Sequence, residues 1–319
     1  MATVVPCDVP ALITAINNAN ASGGDTLVLA AGCTYTLLAP DNDENGLPII
    51  TTPITIVGNG ATITRDAAAP DFRILQIDPP GTLTLINVTI SNGQTTGEGG
   101  GILLSASGTT LVLNNSTITG NTADGDGGGI LNNEGTVQLN NSTVSGNQGD
   151  QGGGINNDDG TLVLNSSTVT GNTSDSTGGG IDDDGGTVTL NSSTISNNQS
   201  GAEGGGIDID GTATFNSTTI IGNVSEDNGG GINNDGSIVL NSSPVLNNRT
   251  TGAGSQGGGI ANFGTATLRS SAVTGNTSVV APAGIFNSGG TVTLLASPVT
   301  GNTPGNCAGS APPVTGCTG

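Results

Sequence analysis

Carboxylates are the abundant side chains in this 319-residue chain that can do acid, base or metal chemistry. There are 25 Asp and Glu against four Arg, with no Lys and no His, so the commonest general base and metal ligand is missing. Asp158, Asp184, Asp210 and Asp235 each stand three residues beyond an isoleucine that closes a glycine run. If equivalent positions stack at strand spacing, these carboxylates form a column with neighbours ~4.8 Å apart. Unit charges so placed repel by about 3 kcal/mol per neighbour at an effective dielectric near 20. A hard cation such as Ca²⁺, held by carboxylate and amide oxygens, would relieve this; so would splayed, solvated side chains. The calcium repeat Gly-Gly-x-Gly-x-Asp does not recur, which favours solvation. The cofactor expectation is therefore none, with Ca²⁺ the one ion the column would admit. Two carboxylates ~5 Å apart also match a retaining glycosidase pair, and Arg249 or Arg269 is a conceivable lyase base.

Composition narrows the classes further. A net charge of −21 sets the chain against nucleic acid and anionic lipid alike, so neither nucleic-acid binding nor membrane insertion is expected. One Tyr, four Phe and no Trp leave room for only small sugar-stacking platforms. The sequence holds no apolar run near the ~18 residues of a membrane span. Arg65, Asp66, Asp71 and Arg73 form one mixed-charge cluster, expected to be a surface ion-pair group.

The elements that position these residues come from a repeat. A Gly-Ile step ends at Ile102, Ile130, Ile155, Ile181, Ile207, Ile232, Ile260 and Ile285, at spacings of 25 to 28 residues. Each unit then has a short alternating strand such as Thr187-Val188-Thr189-Leu190, a second segment such as Thr168-Val169-Thr170, and a polar loop back to the glycines. Such a unit buries its apolar edge only by stacking on its neighbours. The fold class expected is all-β: a β-solenoid, about 26 residues and three short strands per coil. Leu139, Leu164, Leu190, Phe215, Leu240, Leu268 and Leu294 should form one interior stack, and Val144, Val169, Ile195, Ile220, Val245, Val273 and Val299 another.

Asn121, Asn147, Asn172, Asn198, Asn223, Asn248, Asn276 and Asn302 recur at one point of every unit, consistent with a structural amide ladder at a sharp turn. Asn132, Asn157, Asn234, Asn262 and Asn287 form a second row, with Asp183 in register. The Asn-x-Ser/Thr triplets at Asn115 and Asn165 read as by-products of the repeat. A solenoid needs capped ends. Residues 8–20 read as a capping helix, with Asp8 as N-cap and Leu12, Ile13 and Ile16 on one face. The expected disulfides are Cys7–Cys33 and Cys307–Cys317, each local to one end, which also points to an oxidising, extracellular setting. The chain divides into a cap (1–36), irregular first coils (37–98), regular coils (99–302) and a disulfide-closed tail (303–319).

Val169 to Asn172 followed by Gly178 to Ile181 resembles the repeat of bacterial polymorphic outer-membrane proteins, with Val or Ile where that family usually has Phe. Cys7 to Asn20 followed by Gly24-Asp25-Thr26 resembles the N-terminal cap of secreted right-handed parallel β-helix repeat proteins. The resemblance implies a right-handed β-helix, secreted or displayed at a bacterial surface. The expectation for function is a non-enzymatic structural or adhesive rod that binds glycans, cell surfaces or itself, including fibre formation. The alternative is a polysaccharide lyase or glycoside hydrolase. Ice binding through the Thr rows at Thr187/Thr189 and Thr212/Thr214 is a minor alternative, since Gln138, Val163 and Val239 interrupt the array.

Overall fold

The sequence period becomes the structural period because each strand bonds to its equivalent one unit away. Thr136 pairs with Thr161, Thr161 with Thr187, Thr187 with Thr212, and so on to Thr291. The computed structural model, which describes residues 2–319, is a right-handed parallel β-helix of about 11 coils. Three walls enclose the core. The isoleucine wall is made of strands such as Ile155–Asp158 and Ile181–Asp184. The long wall carries two strands per coil, for example Thr161–Asn165 and Thr168–Thr170, with Ser166 between them at φ 49°. The short wall has two-residue strands such as Thr173–Ser174.

The Gly-Gly-Gly-Ile motif has a steric cause. Gly178, the first of its triplet, has φ +60°, a region that L side chains avoid. At Gly180, the last, a Cβ would lie 2.6 Å from the Gly206 carbonyl oxygen and 2.8 Å from Asn198 Nδ2. One position needs the turn and the other needs the space.

Inside, the repeat isoleucines and both apolar stacks are buried, with Leu294 half-buried in the last complete coil. The asparagine ladder is continuous. Asn147 Nδ2 donates to Asn172 Oδ1 (2.9 Å), Asn172 to Asn198 (3.0 Å) and Asn198 to Asn223 (3.0 Å). Each Oδ1 also accepts the preceding ladder residue's backbone N–H, as Asn172 does from Asn147 at 3.0 Å. The left-handed turn expected at these asparagines lies one residue earlier, at Gly146, Gly171 and Asn197. A ladder amide has to point inward, so its neighbour takes the turn. Two further ladders escaped the sequence reading. Ser142, Ser167 and Ser193 hydroxyls each accept a backbone N–H from the coil before. Asn114, Asn140, Asn165, Asn191, Asn216 and Asn241 form a half-exposed outer amide row at 2.9 Å steps.

The helix forms where expected, over Val9–Ser22, with Asp8 accepting from the Ala11 N–H. Leu12, Ala15, Ile16 and Ala19 bury against the first coil. Cys7 bonds Cys33, and Cys307 bonds Cys317. Parallel pairing already runs through the first coils, where Pro53–Arg65 pairs with Thr82–Ser91 with one register shift between Val57 and Ala61. No helix among the described residues is long and apolar enough to cross a membrane.

The arginine cluster is ion-paired as expected, Arg65 to Asp71 at 4.0 Å and Arg73 to Glu44 at 3.0 Å, but the arginines are buried and not at the surface. Arg65 and Arg73 are 5% and 4% exposed. Arg65 donates to the Asn92 and Ala69 carbonyls, and Arg73 to the Glu98 carbonyl, Asn45 and Glu44. Their guanidinium forks satisfy loop carbonyls in the early coils, which a five-donor planar group does well.

Asn172→Ala removes a buried acceptor shared by two donors of Asn147, so we expect a loss of about 2–4 kcal/mol. Asn165→Ala in the solvated outer row should cost under about 1 kcal/mol. Chemical denaturation of both variants checks this, and equal losses would contradict the ladder's role.

Candidate binding groove on the isoleucine wall

Strand alternation sets what this wall shows to solvent. In Ile181–Asp184, Ile181 and Asp183 face the core, while Asp182 and Asp184 face outward. Asp182 is nevertheless only 5% exposed, because the glycine turn folds across it: a Cβ on Gly178 would lie 2.5 Å from Asp182 Cβ. Gly204 covers Asp208 and Gly229 covers Asn233 in the same way. The turns convert an outer face into a groove with two rows. Asn156, Asp182, Asp208 and Asn233, paired in register, form its sheltered row. Asp158, Asp184, Asp210 and Asp235 form its open row.

Two cavities that share Asp208 and Asp210 occupy the groove. One, of about 530 Å³, is lined by Glu203, Asp208, Asp210, Asn233, Asp235 and Phe263. The other, of about 270 Å³, is lined by Ser176, Thr177, Asp182, Asp184, Asp208 and Asp210, among others. The structure does not gather the whole expected column at one point. It places oxygens of Asp208, Asp210 and Asp235 all within 4.8 Å of one another, while Asp158 and Asp184 line a smaller cavity with Asn156, Glu98 and Asp126. Asp208, from the sheltered row, is the member the column reading left out. Asn233 Nδ2 donates to Asp208 (2.9 Å) and to Asp235 (3.0 Å), tying the two coils together.

No arginine lines these cavities. Arg249 lies on the short wall and Arg269 on the long wall, where it reaches Asn241. Neither conceivable lyase base meets the acids. One aromatic ring borders the groove, within what composition allows: Phe263 lines the larger cavity and packs edge-on to Phe286, with ring centroids 5.9 Å apart. The signal was in the repeat, since Phe263 stands three residues beyond Ile260 and so continues the aspartate column.

Uncompensated burial shifts the acids toward neutrality. Burial, then the charge of Asp208, holds Asp182 well above the usual carboxylate range. Burial pushes Asp208 up to about 7, opposed by the Asn233 amide. Asp158 and Asp210 rise through burial first and neighbouring aspartates second. On the core side, burial pushes Asp183 up to about 7. Asp183 belongs to the second asparagine row, accepting from Asn157 at 2.6 Å. That row stops at Ile209, opposite Asp183, and resumes between Asn234 and Asn262. Asp183 Oδ2 has no partner. In the same row Asn157 Nδ2 also donates to the carbonyl three residues on, at Gly160. A protonated Asp183 reproduces that donor.

No family model matches the chain, and no curated protein matches it. Among solved structures it is similar to pectate lyase Pel9A, with a TM-score of 0.50 and 15% identity over 93% of this chain and 75% of that one. At that identity the likeness is one of fold: both are parallel β-helices.

A carboxyl whose folded pKa is raised binds its proton more tightly in the folded state, so stability is greatest below the unfolded value and falls as pH rises from about 4 to 7. Asp183→Asn supplies the missing donor without a charge. We expect it to stabilise the rod by about 1–3 kcal/mol at pH 8 and by little at pH 4, in denaturation series at both pH values. An unchanged or lowered midpoint at pH 8 would refute the assignment.

Proposed function

We propose that the chain is an extracellular, non-enzymatic glycan-binding rod whose ligand lies in the groove at Asp208, Asp210, Asn233, Asp235 and Phe263. The observation that carries this reading is the aromatic ring beside a bank of oxygen acceptors in one open cavity. A pyranose ring has an apolar C–H face and a rim of hydroxyl donors. Phe263 offers the first a flat surface, and the carboxylates accept from the second. A volume of about 530 Å³ is in the range of small-ligand sites. Net charge favours neutral sugars over uronates. The two disulfides suit an oxidising compartment, and the resemblance to secreted and surface-displayed repeat proteins supports the same location. Repeated coils let weak contacts add along the rod, as adhesion requires. We do not extend the proposal to fibres, because helix Val9–Ser22 covers one end of the core. Nor do we extend it to ice: the first Thr column is continuous from Thr136 to Thr291 except for Ser237, but the second is interrupted by Gln138, Val163 and Val239.

A second reading, cleavage of the bound glycan, is favoured by one observation: Asp208, neutral up to about pH 7, beside Asp210 and Asp235. This pairs a proton donor with a carboxylate, the hydrolytic arrangement. Hydrolysis fits better than elimination, since no basic side chain lines the cavity. A parallel β-helix is also the fold of the pectate lyase above.

A panel of neutral and acidic polysaccharides, assayed for binding and for new reducing ends, decides between the readings. We expect saturable binding to a neutral glycan, weakened about tenfold or more in Phe263→Ala (~1.4 kcal/mol), with no release of reducing ends. Release that disappears in Asp208→Asn would replace binding with hydrolysis, and absence of binding across the panel would refute the glycan reading.

A further inference from the structure

We propose that the C-terminal end of the rod is an interface for a second copy of this chain, joined through strand Thr291–Leu295. That strand pairs on one side only, with Thr265–Arg269. The Thr291 N–H donates to the Gly264 carbonyl and the Leu295 carbonyl accepts from the Ser270 N–H, so these groups face back into the rod. Strand alternation turns the N–H and C=O groups of Val292 and Leu294 to the open side, where a next coil would lie. Their side chains are half-buried, whereas Ala266 and Leu268, their partners in register, are fully buried. The tail does not close this gap. Thr303 pairs with Thr277 on the short wall and Ala311 with Ser288 on the isoleucine wall, which leaves the long wall uncovered.

Charge decides what can occupy the gap. A chain of net charge −21 repels its own copies over most of its surface, but no Asp or Glu follows Asp235 and no charged side chain follows Arg269. Two copies can meet at this end without opposing carboxylates. The edge also lacks the lysines and prolines that blunt exposed strands, and Leu295 on it is 48% exposed. Pairing along this wall joins near-copies of one pattern, the last being Thr265-Ala266-Thr267-Leu268 with Thr291-Val292-Thr293-Leu294, and a second chain supplies the next. A two-fold axis at Thr293 makes the contact self-complementary: Val292 of each copy exchanges backbone bonds with Leu294 of the other, and the two Thr293 side chains meet. The tails stand on the other two walls, so the two rods join at an angle. Association stops at two, since at the far end strand Thr3–Val5 is short and helix Val9–Ser22 covers the core behind it. Such a pair carries two copies of the groove, which multiplies weak binding.

This inference goes beyond the glycan reading and is tested without sugar. Sedimentation velocity of the full-length chain over a concentration series near neutral pH should show monomer and dimer only, with a dissociation constant on the order of 10⁻⁵ M, in keeping with a contact smaller than a standard interface. Added salt should tighten the dimer, because it screens the net repulsion. Thr293→Lys and Thr293→Glu each set like charges opposite one another and should weaken self-association at least about tenfold, while an equal mixture of the two variants should pair at least as tightly as the parent. Circular dichroism checks that both fold, and mixing does not rescue a folding defect. Thr214→Lys, in the same column at mid-rod, should dimerise as the parent does. A monomer at every concentration up to about 1 mM, species larger than a dimer, a dimer that survives both Thr293 variants, no rescue on mixing, or an equal loss in Thr214→Lys would overturn the proposal.

Discussion

The hydrogen bond from each coil to the one 25 to 28 residues later is the interaction on which the rest of this molecule depends. Backbone pairing supplies most of those bonds, but four side-chain ladders run beside it, made of two rows of inner asparagines, the second interrupted at Ile209, of serines and of outer asparagines. The buried ones carry the larger share of the stability, because an amide cut off from water has only the next coil to bond to. They also fix register. A slip of one residue would turn Ile181 and Asp183 outward and break every inner amide pair at once.

That constraint has an electrostatic consequence. Once register is fixed, whatever occupies a given position in one coil is held at strand spacing from its equivalent in the next. Asparagines in that arrangement bond to each other; aspartates repel. On the isoleucine wall the chain places aspartates at both outward positions of two successive coils, Asp182 with Asp184 and Asp208 with Asp210, and then folds glycine turns over the first of each pair. The upward shifts at Asp182 and Asp208 follow from burial without a counter-charge. Buried side-chain atoms without a partner lie on both faces of this wall, Asn156 and Asn233 in the groove and Asn132, Asp183 and Asn234 on the core side.

The repeat was readable from the sequence because its isoleucines, leucines and asparagines recur with almost fixed spacing, and the helix because Asp8 and the Leu12/Ile16 face mark it locally. The groove was only half readable. The column Asp158, Asp184, Asp210 and Asp235 follows from counting residues after the isoleucine, but the cluster forms around Asp208, two residues earlier. Strand alternation alone makes Asp208 exposed, and only the three-dimensional path of the Gly204 turn shelters it. Phe263 was set aside as one of few aromatics, although the same count from Ile260 puts it in the column. Arg65 and Arg73 were half readable: the acids mark ion pairs that form, but the burial of the guanidinium groups depends also on the Asn92 and Glu98 carbonyls, 27 and 25 residues away.

The central claim is that buried amide ladders hold the coils in register, and exchange of the ladder's own side-chain protons tests it most directly. In NMR hydrogen-exchange measurements, the Nδ2 protons of Asn147, Asn172, Asn198 and Asn223 should exchange at least about 100-fold more slowly than those of outer-row Asn140, Asn165 and Asn191, because the first set opens only when coils separate. Equal, fast exchange in both rows would mean that the inner amides are not held between coils, and the account of how the groove is positioned would fail with them.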